Sequence, residues 1–182
     1  MGDIINFDEA RQRAIEQMDL SGLIARAVDL REDFVEEIGN GMLVVNEQKL
    51  EIIFERVISD ILLTRRLFAP GFFICGRYIA VLLRKISFSV PESWFAVDYF
   101  IKGIEEGNPI LIKQGADICF LFCSVFPERS NHRNMTPEAY KQIGAGLYYS
   151  FFLNTGGDIG RFMARGFDIM ADVTRQCLLS LQ

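Results

Sequence analysis

Hydrophobic residues recur at helical spacing along almost the whole chain. In an α-helix, residues three, four and seven positions apart share one face, so such a pattern predicts helices with one buried side. The clearest stripe follows Asn46, a candidate N-cap, and its other face is polar at Glu51, Glu55, Arg56 and Ser59. Its apolar members are Leu50, Ile53, Phe54, Val57, Ile58, Ile61 and Leu62.

Start and stop signals divide this pattern into helices. Asn108 and Thr136 are candidate N-caps, and each precedes a proline that suits the first turn of a helix. Pro70 likewise opens a helix over 70–88, which is apolar nearly all round and is therefore expected to be central. Ser89 and Glu92 match a capping box, which predicts a helix from there to Gly107.

No segment of four or more residues shows a convincing strand alternation. An apolar helical stripe is instead expected to continue through Phe34, Val35 and Ile38 to Gly39-Asn40-Gly41. We therefore predict an all-α fold: a single-domain bundle of about seven or eight helices over residues 1–182, in which an acidic helical segment, 1–40, packs on or flanks a core of 46–180.

Charge and composition narrow the possible partners. Residues 1–40 hold ten acidic side chains and four arginines, and the whole chain has a net charge of −5, so no broad basic face exists to bind a nucleic acid. The longest nearly apolar stretch, Gly71 to Leu83, contains Arg77 and is too short to span a membrane. The N-terminal residues lack the pattern of a secretory signal, so a cytoplasmic location is expected.

Candidate catalytic chemistry is sparse. His132 is the only histidine and lies in the polar segment 127–135, so no histidine-rich metal site can form. Cys119 and Cys123 share a helix face with apolar neighbours, which favours buried, reduced thiols. No phosphate-binding loop or nucleophile elbow is present. The residues therefore favour a protein without enzymatic activity, and they indicate no cofactor, metal or catalytic residue.

Two binding sites are proposed from the pattern. Guanidinium groups near the start of a helix favour binding of an anion or of an acidic segment of a partner. The residues expected to form such a site are Arg129, His132, Arg133 and Thr136. An aromatic-rich interior can leave a pocket for an apolar ligand. The residues expected around that pocket are Phe72, Phe73, Tyr78, Phe122, Tyr148 and Phe152.

Part of the chain resembles a known family. Phe126-Pro127-Glu128-Arg129, followed by Tyr140, Gly144 and Tyr148, is similar to a family of uncharacterised bacterial all-helical proteins. The resemblance covers residues 126–148 only. It implies a bacterial, helical protein of unknown activity and transfers no functional residue.

Self-association is the function that the composition favours. Sixteen Phe and one Trp are more large apolar side chains than one small bundle readily buries, so we expect a homodimer or a protein-interaction module. A small-molecule sensor with an apolar pocket is the alternative. Gly144, in the middle of a helix, is expected at a close crossing with the 70–88 or the 109–126 helix.

Overall fold

The computed structural model describes residues 35–38, 42–45, 47–127 and 135–181. Two short strands precede six helices, which make up most of the described residues in 47–127 and 135–181. The elements are β1 (Val35–Ile38), β2 (Met42–Val45), α1 (Glu47–Thr64), α2 (Pro70–Phe88), α3 (Ala96–Glu105), α4 (Pro109–Ser124), α5 (Pro137–Thr155) and α6 (Asp158–Ser180). The all-helical prediction is confirmed for the described residues 47–127 and 135–181, which contain six helices where seven or eight were predicted for the whole chain.

The strands at 35–38 and 42–45 contradict the helix predicted through Ile38. β1 and β2 pair antiparallel, with Val35 opposite Val45 and Ile38 opposite Met42. β-Branched residues such as Val35, Ile38 and Val44 favour strands, and the glycine-rich triplet between the strands has a composition typical of hairpin loops. The helical spacing of Phe34, Val35 and Ile38 was therefore misleading. The helices predicted before this hairpin lie outside the described residues.

The central helix is α4 rather than α2. Every residue from Gly115 to Ser124 is buried, and α4 packs against α3, α5 and α6. In contrast, α2 packs against α1 and α6, and it exposes Ile74 and Arg77. The charged residues of the two helices are placed differently: Lys113 and Asp117 of α4 bind each other, whereas Arg84 of α2 pairs with Glu47 and Glu51 of α1 and Arg77 is exposed.

The helix boundaries confirm several predicted caps. The side chain of Asn108 accepts a hydrogen bond from the Ile110 backbone N–H at 3.1 Å, and Thr136 accepts one from Ala139 at 3.2 Å. Gly156 ends α5 in the left-handed conformation, with φ of 69°, which glycine adopts at little cost. These local signals fix where α4 begins and where α5 begins and ends.

The segment between α2 and α3 differs from the prediction. The Ser89 hydroxyl donates to the Lys85 carbonyl at 2.9 Å, so it caps the end of α2 instead of starting a new helix. Helix α3 begins only at Ala96, where the Ser93 side chain accepts from the Phe95 N–H at 3.0 Å and donates to Asp98 at 2.5 Å. The predicted capping box at Ser89 and Glu92 is therefore wrong, and residues 89–95 form a non-helical connection.

Gly144 lies where α4, α5 and α6 meet. A Cβ atom at this position would lie 2.8 Å from the Cβ of Cys119 on α4 and 2.6 Å from the Phe167 ring on α6. The predicted close crossing with the 109–126 helix is thus confirmed. Because glycine has no side chain, α5 approaches both neighbouring helices at this point.

Candidate functional site

The structure tests only part of the predicted anion site. Arg129, His132 and Arg133 lie outside the described residues. Thr136 is described, and its hydroxyl oxygen is already bound to the Ala139 N–H as the N-cap of α5. The grouping of these four residues therefore stays a prediction.

The six aromatic residues predicted around one pocket lie in several places. Tyr78 and Tyr148 are in edge-to-face contact, with ring centroids 6.4 Å apart. Phe122 packs instead against Tyr140, at 5.0 Å between centroids, and Phe152 lies beside Tyr149 at 6.0 Å. Phe72 and Phe73 are partly buried against the core.

A buried polar cluster joins α2, α4 and α5 where Tyr78 and Tyr148 meet. We call Tyr78, Lys113, Asp117 and Tyr148 the Asp117 cluster. Both phenol hydroxyls donate to Oδ1 of Asp117, Tyr148 at 2.7 Å. Lys113 Nζ donates to the Tyr78 hydroxyl at 2.7 Å and to Oδ2 of Asp117 at 3.2 Å. Each polar group in the cluster therefore has at least one partner, as buried polar groups require.

The two phenols of this cluster have raised pKa values because they are buried. Removal from water raises the pKa of Tyr78 and Tyr148 well above the ordinary value of 10.0, and the adjacent Asp117 carboxylate raises both further. The unfolded chain releases these protons near pH 10 while the folded chain keeps them. The resulting contribution to stability is present below pH 10 and is lost as the pH rises above it.

An apolar groove runs between α3 and α5, over α4. Its volume is about 540 Å³, which is within the range of small-molecule sites. Cys119 of α4 lines it between the two flanking helices, and none of the six predicted pocket residues does so. We call it the α3–α5 groove. Its lining residues are Phe95, Ala96, Val97, Phe100, Cys119, Met135, Tyr140, Ile143, Gly146, Leu147 and Ser150.

Both helices that border this groove also expose large apolar side chains outward. On α3, Val97, Ile101 and Ile104 repeat at a spacing of three and four residues and are each at least half exposed. On α5, Tyr149 and Leu153 are also more than half exposed. The sequence pattern alone does not distinguish these residues from core residues, because they continue the same helical stripes.

Four buried thiols lie in the core. Burial raises the pKa of Cys75, Cys119 and Cys177 to about 12 and that of Cys123 to about 11. All four cysteines are free, as expected from the sequence. Because the thiolate is the reactive form, these side chains are poor nucleophiles near neutral pH.

We expect the folded protein to resist thiol reagents. At pH 8, a disulfide reagent such as dithionitrobenzoate should react with fewer than one thiol per chain over minutes, and with all four after unfolding in guanidinium, where the thiol pKa returns to about 8.5. Absorbance of the released chromophore measures the reaction. Rapid reaction of Cys119 in the folded state would show that the α3–α5 groove admits solvent to its sulfur.

Within the described ranges, no group of three or more His, Cys, Asp or Glu side chains is placed to hold a metal ion. In the same part of the chain, no helix has the length and hydropathy needed to cross a membrane.

Comparison with family models, curated proteins and solved structures finds no match to this chain.

Proposed function

We propose that the chain is a cytoplasmic, non-enzymatic protein that self-associates as a homodimer through the surface around the α3–α5 groove. The observation that carries the proposal is the set of large apolar side chains that α3 and α5 expose beside the groove. Large exposed apolar patches on globular proteins mark sites of association. The occupant proposed for this surface is a second copy of the chain.

The size of the surface supports a dimer. Eight large apolar side chains border or flank the groove, and each exposes between 36% and 65% of its surface. Together they offer roughly 700 Å² of apolar surface, close to the ~800 Å² per partner buried in interfaces of standard size. The eight residues are Phe95, Val97, Phe100, Ile101, Ile104, Ile143, Tyr149 and Leu153.

The charges around this surface also suit contact between identical copies. Asp98, Lys102 and Glu105 are exposed on α3, so charges of both signs lie beside the groove. In a two-fold interface each residue type meets its counterpart from the other copy, so a rim with both signs can pair with itself. An apolar centre within a polar rim is the usual anatomy of such an interface.

We expect the wild-type protein to have twice its chain mass of 20.7 kDa by light scattering at micromolar concentration. The variant with Ile104→Asp and Leu153→Asp should be monomeric, because each substitution places a charge in the apolar centre of the interface. These positions are 59% and 65% exposed, so the fold itself should tolerate the change. Circular dichroism verifies that the helices remain.

Ile52→Asp is the matched control. Ile52 is 55% exposed on α1, which packs against α2 and α6, and the substitution has the same chemistry. This variant should stay dimeric. A wild-type mass of 20.7 kDa, or equal dissociation by the control, would reject the proposed interface.

Binding of a small apolar molecule is the second candidate function, and the 540 Å³ volume of the groove favours it. Its ligand would contact mainly hydrocarbon, because most of the side chains in the lining are apolar. Tyr140 and Ser150 supply the hydroxyl groups. This candidate is supported over the dimer if the wild type is monomeric and binds a neutral apolar probe such as naphthalene. The Gly146→Trp variant, in which the new side chain fills the groove, should then lose this binding.

A further inference from the structure

A second cavity, distinct from the α3–α5 groove, lies beside the Asp117 cluster. Its volume is about 240 Å³, and we call it the Asp117 cavity. A volume of this size holds about eight water molecules, at roughly 30 Å³ each, and suits a small organic molecule. It is lined by Leu82, Lys85, Ile86, Ser89, Val90, Pro91, Glu92, Tyr99, Gln114, Asp117, Ile118 and Leu121.

We propose that this cavity binds a small organic ammonium ion with a short apolar body, and that Asp117 accepts the hydrogen bond of the ammonium group. The site is independent of the surface proposed for self-association. Neither its buried anchor nor its apolar walls belong to that surface.

Asp117 has an acceptor position to offer. A carboxylate has two oxygens with about four lone-pair positions, and three are occupied by Tyr78, Tyr148 and Lys113. The two phenols share Oδ1, and Lys113 occupies one position on Oδ2. The side chain remains 10% exposed. The remaining position on Oδ2 is therefore the one assigned to the ligand.

The cluster also fixes the position of this acceptor. Tyr148 is fully buried and Tyr78 packs edge-on against it, so the two hydroxyl donors hold Oδ1 from α2 and α5. Lys113 Nζ lies 4.7 Å from the centroid of the Tyr78 ring and approaches Oδ2 from its own helix. A carboxylate held by three donors is preorganised, which lowers the entropic cost of binding a fourth.

The free acceptor position on Asp117 favours a ligand that donates a hydrogen bond, and an ammonium ion is the strongest such donor. Of the charged residues that line the cavity, Asp117 and Glu92 are acidic and Lys85 is basic, while Lys113 from outside the lining already pairs with Asp117. A hydrogen bond from an ammonium to a carboxylate is shorter and roughly twice as strong as one between neutral groups. A ligand carboxylate has no proton to donate to the free acceptor position on Asp117.

The walls select an apolar body. Leu82 and Ile86 of α2 face Ile118 and Leu121 of α4 around the cavity, and Val90 and Pro91 add further hydrocarbon from the connecting segment. The Gln114 side chain has no hydrogen bond or ion pair with any other residue that the structure describes. It can therefore supply one additional polar contact to a ligand.

Isothermal titration calorimetry with 2-phenylethylammonium tests the proposal, with 2-phenylethanol and 3-phenylpropionate as neutral and anionic counterparts of similar shape. The wild type should bind the ammonium at least tenfold more tightly than the alcohol, and binding of the anion should be weaker still. Asp117→Asn should reduce binding of the ammonium about tenfold. Equal affinities for ammonium and alcohol, or no saturable binding of the ammonium at millimolar concentration, would overturn it.

Glu92→Lys keeps the test decisive even if Asp117→Asn does not fold. Glu92 is exposed, so the fold should tolerate the change, which should weaken binding of the ammonium threefold or more. Glu55→Lys on α1 is the matched control because it makes the same change of charge on a helix that does not line the cavity. Equal weakening by the two variants would assign the effect to net charge and would reject the site.

Discussion

Asp117→Ala is expected to lower the free energy of unfolding by about 3–5 kcal/mol, the range found when one partner of a buried ion pair is removed. The substitution leaves Lys113 without its carboxylate and leaves the hydroxyls of Tyr78 and Tyr148 without the acceptor they share. The effect is large because Tyr148 is fully buried, so its hydroxyl loses a charged acceptor inside the core. Chemical denaturation followed by circular dichroism measures it.

Tyr148→Phe is a milder probe of the same cluster. It removes one donor, while Asp117 retains Tyr78 and Lys113, so the expected cost is about 1.5–3 kcal/mol. Asp168→Ala is the control, because Asp168 pairs with Lys141 at 2.8 Å on the surface, where such a pair contributes about 0–1 kcal/mol. If Asp117→Ala cost no more than Asp168→Ala, the cluster would contribute nothing beyond a surface ion pair.

Gly144→Ala is expected to destabilise the protein by about 1–3 kcal/mol, and Gly144→Leu by at least as much. The added Cβ would lie 2.8 Å from Cys119 Cβ and 2.6 Å from the Phe167 ring, so one of the neighbouring helices must move. The intrinsic preference of a helix for alanine over glycine offsets part of the cost of this clash. The shift in the denaturation midpoint is the observable.

Gly166→Ala is the matched control for that change. Gly166 is also a buried helical glycine, but a Cβ there would be 3.5 Å from Phe72, an ordinary packing distance. This variant should be stabilised by about 0.5–1 kcal/mol, because alanine restricts the unfolded chain and favours the helix. Equal effects at both positions would mean that the crossing at Gly144 is not tightly packed.

Local signals predicted most of the helical fold. Caps and first-turn prolines, such as Asn108-Pro109 and Thr136-Pro137, act within one turn of the chain, and the structure places helix starts at these positions. The prediction failed where two local signals competed. The pattern at Ser89 predicts a helix start, whereas Ser89 caps the end of α2, because its hydroxyl donates to the Lys85 carbonyl one turn back.

The candidate sites were harder to predict, because they depend on residues far apart in sequence. Asp117 was not identified from the sequence, although an acidic residue within the apolar run of α4 and four residues after Lys113 was an available signal. Its phenol partners lie 39 and 31 residues away along the chain. Helical spacing assigned Tyr78 and Tyr148 to an apolar pocket, since periodicity reports which face is buried and not what that face contacts.

The sequence by itself determined that the described residues 47–127 and 135–181 are mainly helical, where most of their helices begin and end, and that Gly144 lies at a close contact. These properties depend on backbone preferences and on periodicity within single helices. The tertiary structure alone decided that α4 is central, that Asp117 gathers two tyrosines and a lysine, and that α3 and α5 leave an apolar groove between them. Those features depend on which helices pack together, and side-chain pairing between distant segments has no local pattern from which it can be read.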